Sequence, residues 1–80
     1  MKLSILNFGI ARDIVGATEF EVELREGANI ADLKALLFHE YPEFERLASF
    51  AVAVNESYAT DEVILKEGDT IAIIPPVSGG

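Results

Sequence analysis

The chain has 80 residues, no cysteine, six Lys and Arg residues and 14 Asp and Glu residues, which gives a net charge of −8. This length predicts one small domain, and the lack of cysteine excludes disulfide bonds, thiolate catalysis and cysteine-based metal sites. The acidic balance argues against a nucleic-acid partner and favours a basic protein surface, while the lack of a signal peptide or a bilayer-spanning apolar stretch predicts a cytoplasmic protein that binds no membrane.

The first part of the chain predicts two strands around a short helix. Leu3 to Phe8 is apolar at both alternating parities, so this strand needs cover on both faces. Ile10 to Val15 is typical of a short helix that Gly16 can end. In Thr18 to Arg25, apolar and acidic residues alternate, which predicts a half-exposed strand near a sheet edge. The acidic residues lack converging ligands from another segment, so we expect a solvated face rather than a metal site from Glu19, Glu21 and Glu23.

The main helix is predicted from Ile30 to Tyr41. Asn29 is a suitable N-cap, Asp32 is favoured by the helix dipole in the first turn, and Pro42 ends the helix. With a rotation of about 100° per residue, the apolar positions form one stripe, so the helix is expected to pack on one sheet face only. The stripe consists of Ile30, Leu33, Leu37 and Tyr41.

The second half of the chain predicts three more strands. A loop is expected from Glu43 to Ser49, and Phe50 to Val54 is typical of a strand. A turn at residues 55–57 leads into a shorter strand from Tyr58, and a second turn precedes Thr70 to Ile74. This last strand is apolar at almost every position, as expected for a strand covered on both faces.

The first and last strands are the most apolar, so they are predicted to lie as parallel neighbours at the centre of the sheet. One long helix can cover only one face of that sheet. Leu6, Phe8 and Ile74 are therefore expected to face outward on the other, as an apolar patch that docks another protein. The alternative is a set of scattered exposed apolar residues, which are normal on any protein surface.

The sequence closes on Pro75-Pro76-Val77-Ser78-Gly79-Gly80, and we expect the chemistry at this end. The two prolines lack N–H donors, so the chain must leave the sheet there, and they hold the root of the tail extended. Gly79 has no Cβ and can pass through a channel that is too narrow for a side chain. The Gly80 carboxylate is a poor electrophile, and adenylation by ATP is the simplest route to activate it.

Other residues give weaker indications of chemistry. His39 falls opposite the apolar stripe and is predicted to be solvent-exposed. Ser78 has no base within reach along the sequence and is interpreted as a polar linker residue. The isolated glycines form no phosphate-binding loop, so ATP would be bound by a partner. Arg12 either pairs locally with Asp13, which is the favoured interpretation, or contacts an acidic group of a partner.

Three segments carry a resemblance to a known family: residues 7–16, residues 53–55 and, above all, residues 67–80 with their Gly-Asp turn, apolar strand and Pro-Pro-Val-Ser-Gly-Gly end. Over nearly the whole chain they resemble the small, sulfur-carrying subunit of molybdopterin synthase. The resemblance implies an α+β, ubiquitin-like β-grasp fold, with a mixed sheet of about four to five strands and one main helix on one face. It also implies a β-grasp domain over residues 1–76 and a flexible diglycine tail over residues 77–80.

The resemblance further implies a two-stage cycle. An adenylating enzyme similar to ubiquitin-activating enzymes would convert the Gly80 carboxylate into an acyl-adenylate, and a sulfur donor protein would displace AMP to leave a thiocarboxylate. The tail would then enter the large synthase subunit, whose side chains catalyse sulfur transfer to cyclic pyranopterin monophosphate within a heterotetramer. This chain would be a non-catalytic subunit that binds no cofactor, with ATP used by the activating partner. The implied partner contacts are Phe8, Arg12, Ile74, Pro75, Pro76, Val77 and Ser78, with Gly79 as the channel-threading residue.

Three other functions stay open at this point. A protein modifier that forms isopeptide bonds with lysines would share the fold and the diglycine end. A sulfur carrier for thiamine synthesis or tRNA thiolation would share the activation chemistry as well. In an interaction domain, the two final glycines would be incidental.

Overall fold

A five-stranded mixed sheet organises the molecule in the computed structural model, which describes residues 1–46 and 50–75. Two α-helices and one short 3₁₀ helix accompany the sheet in these residues. The elements in chain order are β1 (Lys2–Asn7), α1 (Ile10–Val15), β2 (Glu19–Glu23), α2 (Ile30–Glu40), the 3₁₀ helix (Pro42–Arg46), β3 (Ala51–Val54), β4 (Ser57–Tyr58) and β5 (Thr70–Ile74).

The strand order across the sheet is β2-β1-β5-β3-β4. The two central strands, β1 and β5, run parallel in a register that places Ile5 beside Ile71, and all other strand pairs are antiparallel. The prediction that the first and last strands are parallel neighbours at the centre is therefore confirmed. Both strands have apolar side chains on both faces, which is typical of strands inside a sheet. A central position also gives each of them a hydrogen-bonded neighbour at both edges.

The core lies between the sheet and α2. It contains the alternate residues of the central strands and three of the four residues predicted for the helix stripe, with Tyr41 only half-buried at its margin. The fully buried set from these elements is Leu3, Ile5, Ile30, Leu33, Leu37, Ile71 and Ile73. The helix therefore covers one face of the sheet, as predicted, and leaves the other face without a covering helix.

The predicted N-cap of α2 is confirmed. The Asp32 amide donates to Asn29 Oδ1 at 2.9 Å, and the Asn29 amide donates to Asp32 Oδ2 at 3.0 Å, which together form a capping box. The helix ends at Glu40, one residue earlier than predicted. Tyr41 is its C-cap with φ −133°, because a residue that precedes a proline is disfavoured in the helical region.

The strand bounds differ slightly from the prediction. β1 ends at Asn7 rather than Phe8, because the chain turns at Gly9 with a φ of +54°. β2 is shorter than the predicted Thr18 to Arg25. The residues just outside its ends still form backbone hydrogen bonds, since the Thr18 carbonyl accepts from the Asn7 amide and the Leu24 amide donates to the Met1 carbonyl. In the described part of the chain, no helix combines the length and the apolar character needed to cross a membrane.

The loop predicted from Glu43 to Ser49 is partly wrong. Residues 42–46 form the 3₁₀ helix, and residues 47–49 lie outside the described part. Phe44 is fully buried, with its ring centroid 6.2 Å from that of Tyr41 and 5.7 Å from that of Phe50. This side chain closes one end of the core, and it was missed because a single aromatic residue between two glutamates has no periodic pattern.

The burial of Phe44 predicts a large effect on stability. The substitution Phe44→Ala should lower the free energy of unfolding by about 3–5 kcal/mol, because it removes a buried ring and leaves a cavity. Phe8→Ala is the matched control, since Phe8 is 51% exposed, and it should change stability by less than about 0.5 kcal/mol. Urea unfolding followed by circular dichroism measures both values, and equal effects of the two substitutions would contradict this role of Phe44.

Candidate functional site at the end of the central strand

The last described residue, Pro75, follows directly on β5 at the centre of the sheet. The predicted site residues Pro76, Val77, Ser78, Gly79 and Gly80 lie outside the described residues, and so does the proposed tail over residues 77–80. Their roles therefore stay predictions. What the structure describes is the root from which these residues continue and the surfaces around it.

A tight turn at Gly9 packs against this root. The Ala11 amide donates to the Phe8 carbonyl at 3.1 Å, and Gly9 between them has φ +54° and ψ −130°. These angles are those of the second residue of a type II′ turn, a position that glycine occupies without steric cost. A Cβ built on Gly9 would lie 3.5 Å from Pro75 Cγ, so the turn and the tail root are in van der Waals proximity. The start of α1 is thereby held beside the end of β5.

The face of the sheet opposite α2 carries a continuous apolar strip. Leu6 pairs with Ala72, which pairs with Ala53, which in turn pairs with Tyr58, so one row crosses four strands. The next row, towards the tail root, pairs Ile74 with Ala51, and continuing the β1–β5 register by one residue beyond Asn7 and Ile73 places Phe8 beside Ile74. We call this strip the open face, and its residues are Leu6, Phe8, Ala51, Ala53, Tyr58, Ala72 and Ile74.

The open face is accessible at its larger side chains. Phe8 is 51% exposed and Tyr58 76% exposed, while Leu6 and Ile74 are half-buried among the small alanines. The structure thus places Leu6, Phe8 and Ile74 together on one surface, next to Pro75, as the alternation of the strands predicts. A contiguous apolar strip of this kind suits burial against another protein, although contact of these residues with a partner stays a prediction.

The glutamates of β2 border the open face on one side. In the sheet register Glu19 lies opposite Leu6, Glu21 opposite Ser4, and Glu23 opposite Lys2. All three glutamates are exposed, in agreement with the predicted solvated face. Within residues 1–46 and 50–75, no three or more His, Cys, Asp or Glu side chains are grouped so that they could hold one metal ion. The glutamates therefore form a negative border along the open face.

Arg12 lies close to the tail root on α1. With Phe8 and Gly9 it lines a surface pocket of about 340 Å³. The ion pairs within residues 1–46 and 50–75 join Arg25 to Asp32, Lys34 to Asp61 and His39 to Glu40, and none of them includes Arg12. The favoured local pair with Asp13 is therefore not formed there, and the exposed guanidinium remains available to an acidic partner group.

His39 is placed as the sequence predicted. Its side chain is 85% exposed near the end of α2, and Nδ1 lies 3.8 Å from Glu40 Oε2. An exposed contact of this length between sequence neighbours adds little to stability. The structure brings no nucleophile or second base of the described residues into an enclosed site around His39, which agrees with a surface position.

Asn7 has a structural role that was not predicted from the sequence. This residue is 3% exposed, its Nδ2 donates to the Ala17 carbonyl at 3.1 Å, and its amide donates to the Thr18 carbonyl at 2.9 Å. Asn7 thus fastens the segment after α1 to the end of β1, next to the turn at Gly9. Its position two residues after Ile5, on the buried parity of the strand, is the signal that could have identified it.

Comparison with known proteins places this geometry in a family. Residues 5–80 match the family model described as the ThiS family. The chain belongs to the ThiS family. It is 37% identical over 83 residues to the molybdopterin synthase sulfur carrier subunit of Chlamydomonas reinhardtii, and the match covers 100% of both chains. The resemblance found in the sequence is therefore confirmed.

Solved structures of this ThiS-family fold agree with the sheet and helix described above. A candidate molybdopterin converting factor subunit 1 from Pyrococcus furiosus superimposes with a TM-score of 0.89 at 30% identity, over 96% of this chain and 99% of that one. One chain of the complex of subunits 1 and 2 of the molybdopterin-converting factor from Helicobacter pylori gives a TM-score of 0.71 at 27% identity, over 100% of both chains. The predicted ubiquitin-like β-grasp fold is thereby confirmed.

Proposed function

We propose that this chain is the sulfur carrier subunit of a molybdopterin synthase. The observation that carries the proposal is the full-length, 37% identical match to a protein of that description. The structure adds support, because an apolar open face and the root of the diglycine tail lie side by side at the end of β5. A sulfur carrier needs both features, since the apolar face docks on the partner and the tail delivers the sulfur.

The chemistry proposed for the tail takes place at the Gly80 carboxylate. A carboxylate oxygen attacks the α-phosphorus of ATP, pyrophosphate leaves, and an acyl-adenylate forms. A nucleophilic sulfur from a donor protein then attacks the carbonyl carbon, the bond to the phosphate oxygen breaks, and AMP leaves. The donor sulfur is the outer sulfur of a persulfide, so an acyl disulfide results; a thiol then attacks its donor-side sulfur, the S–S bond breaks, and the thiocarboxylate is released as a disulfide forms on the donor. The folded domain presents the reacting group, and the adenylating partner binds the ATP.

Sulfur delivery requires the large synthase subunit. The loaded tail would enter its active site, where the thiocarboxylate donates one sulfur to cyclic pyranopterin monophosphate and returns to a carboxylate; two such deliveries supply the two sulfurs of the molybdopterin dithiolene. In this proposal the catalytic side chains belong to the large subunit, two copies of each chain form a heterotetramer, and the assembly works in the cytoplasm. Gly79 supplies the slim segment that the channel admits.

Docking on the large subunit is proposed to use the open face. Phe8 and Ile74 supply the apolar contacts, Pro75 and Pro76 keep the root extended, and Arg12 contacts an acidic group of a partner. The related Helicobacter pylori protein is seen in a complex of subunits 1 and 2, which supports a large-subunit partner. The restricted root reduces the conformational entropy lost when the tail docks.

Genetic complementation tests the proposed branch of sulfur chemistry. Expression of this chain in a bacterial strain that lacks its own molybdopterin synthase small subunit should restore molybdoenzyme activity. The parallel experiment uses a strain that lacks the thiamine sulfur carrier, and there we expect no growth without thiamine. Rescue of thiamine synthesis alone would overturn the proposal. The combination of unrestored molybdoenzyme activity and covalent conjugates of this chain on lysines would overturn it as well.

A further inference from the structure

We propose that the free edge of β2, with the groove between β2 and α2, binds an extended segment of a partner protein in which Lys or Arg alternates with apolar residues. The segment would add to the sheet as a sixth strand, antiparallel or parallel to β2. This site is separate from the surface proposed to deliver sulfur, because β1 lies between β2 and β5 with its tail root. Strand addition at an exposed sheet edge is a common mode of peptide recognition.

The first support is the phase of the hydrogen bonds along β2. The Asn7 amide donates to the Thr18 carbonyl at 2.9 Å, and the Leu24 amide donates to the Met1 carbonyl at 3.0 Å. In the antiparallel register of β1 and β2, this phase directs the amides and carbonyls of the even-numbered residues of β2 towards β1. The outward-pointing backbone groups therefore belong to Glu19, Glu21 and Glu23.

The second support is a groove of about 290 Å³ beside this edge. Phe20 and Val22 form its apolar side on β2, Leu36, Leu37 and Tyr41 form its apolar side on α2 and the helix cap, and the remaining lining residues are Glu21, Glu23 and Glu40. Leu37 is buried and the other four apolar residues are half-buried, so apolar surface is left open within reach of an added strand. Side chains on the α2 side of that strand would enter this groove and lose contact with water.

The third support is charge, which selects the kind of partner. The glutamates of β2 are exposed, and none of the ion pairs in residues 1–46 and 50–75 includes them. A second copy that added its own β2 here would place like charges opposite each other, which is unfavourable across strands. A basic segment would instead pair with the row and complement the net charge of −8.

The geometry also dictates an alternating sequence. Phe20 and Val22 pair with the buried residues Ile5 and Leu3 and so point to the α2 side of the sheet, and the glutamates that alternate with them point to the open-face side. A neighbouring strand alternates in the same way, so every second residue faces the glutamates and the residues between face the groove. A segment with Lys or Arg at one parity and Val, Ile or Leu at the other satisfies both surfaces.

A synthetic peptide, Ac-Lys-Val-Lys-Val-Lys-Val-amide, tests the site on the isolated chain. Amide hydrogen exchange is measured by NMR with and without saturating peptide. We expect exchange at the Glu21 amide to slow at least about tenfold, because a solvent-exposed N–H becomes hydrogen-bonded. The Phe20 and Val22 amides, which already bond to β1, should change less. An unchanged exchange rate at the Glu21 amide would overturn the proposal. Changes in exchange that are spread equally over the amides of all surface Asp and Glu residues would overturn it too.

Two variants and one control peptide make the test specific. Glu21→Pro removes an outward N–H without taking a bond from the β1 ladder, and Leu36→Lys places a charge in the groove from the helix side. Each should weaken binding of the peptide at least about tenfold, and Leu36→Lys serves if Glu21→Pro does not fold. The peptide with Glu in place of Lys should not bind. Wild-type affinity in the folded variants, or equal binding of the acidic peptide, would contradict the inference.

Discussion

Extending the chain by one alanine after Gly80 should abolish sulfur transfer and leave the domain folded. The carbon to be activated would be displaced by one residue, and a methyl group would stand where the channel is proposed to admit only glycine. A misplacement of about 1 Å at a reacting centre can cost about 100-fold in rate, so we expect a loss of at least that size. A single-turnover assay of molybdopterin formation, with the activating enzyme and the large subunit present, measures it.

Ser78→Ala is the matched control for this extension. It changes a residue of the same tail, keeps the number of residues beyond Pro75, and removes a hydroxyl to which we assign no chemical role. Its transfer rate should stay within about threefold of wild type, and thermal unfolding of both variants should match that of the parent. An extended chain that transfers sulfur at the wild-type rate would show that the position of the last carboxylate is not essential.

Placing a charge on the open face should strongly weaken binding to the large subunit. Phe8→Asp puts a carboxylate where an apolar side chain, 51% exposed in the isolated chain, is proposed to be buried by the partner. Burying an unpaired charge is costly, so Kd should rise by about 30-fold or more, which corresponds to about 2 kcal/mol. Isothermal titration calorimetry with the purified large subunit gives the value directly.

Ile64→Asp controls for the loss of an exposed apolar residue elsewhere. Ile64 is 54% exposed, so it matches Phe8 in exposure, but it lies opposite Asn29 rather than in the rows of the open face. Its effect on Kd should stay below about threefold, as expected for a residue outside an interface. Equal weakening by the two substitutions would argue against the open face as the docking surface, and no weakening by Phe8→Asp would do the same.

The topology could be predicted because the sequence constrains it strongly. β1 and β5 have apolar side chains at both parities, and this pattern fits only the centre of a sheet. The helix was equally well defined, since Asn29 and Asp32 form its capping box and Pro42 prevents its continuation. In these segments the local preference and the global packing favour the same structure.

The features that were missed depend on contacts between distant segments. Phe44 is buried because the 3₁₀ helix folds back on α2, and a lone aromatic residue does not reveal this. Asn7 is buried where its side-chain Nδ2 donates a hydrogen bond to the Ala17 carbonyl in the segment after α1. The free backbone groups of β2 follow from the hydrogen-bond phase with β1, which the alternation of Glu and apolar residues cannot show.

The site was predictable in its parts and less so in its arrangement. The exposed patch follows from counting one helix against a sheet that is apolar on both faces. The close approach of Gly9 to Pro75, by contrast, depends on a turn with φ +54° that brings the start of α1 to the end of β5. The local pair of Arg12 with Asp13 was favoured because such pairs are common, yet neighbouring residues on a helix do not face each other.

The intact mass of the protein tests the central claim most directly. The chain is incubated with its adenylating enzyme, ATP and a sulfur source, and is then analysed by electrospray mass spectrometry. The account predicts one product, heavier than the starting protein by the difference between one sulfur and one oxygen atom, with the change located at Gly80 by fragmentation. An unchanged mass under conditions that form the adenylate, or covalent attachment to lysines in place of the sulfur-containing product, would contradict it.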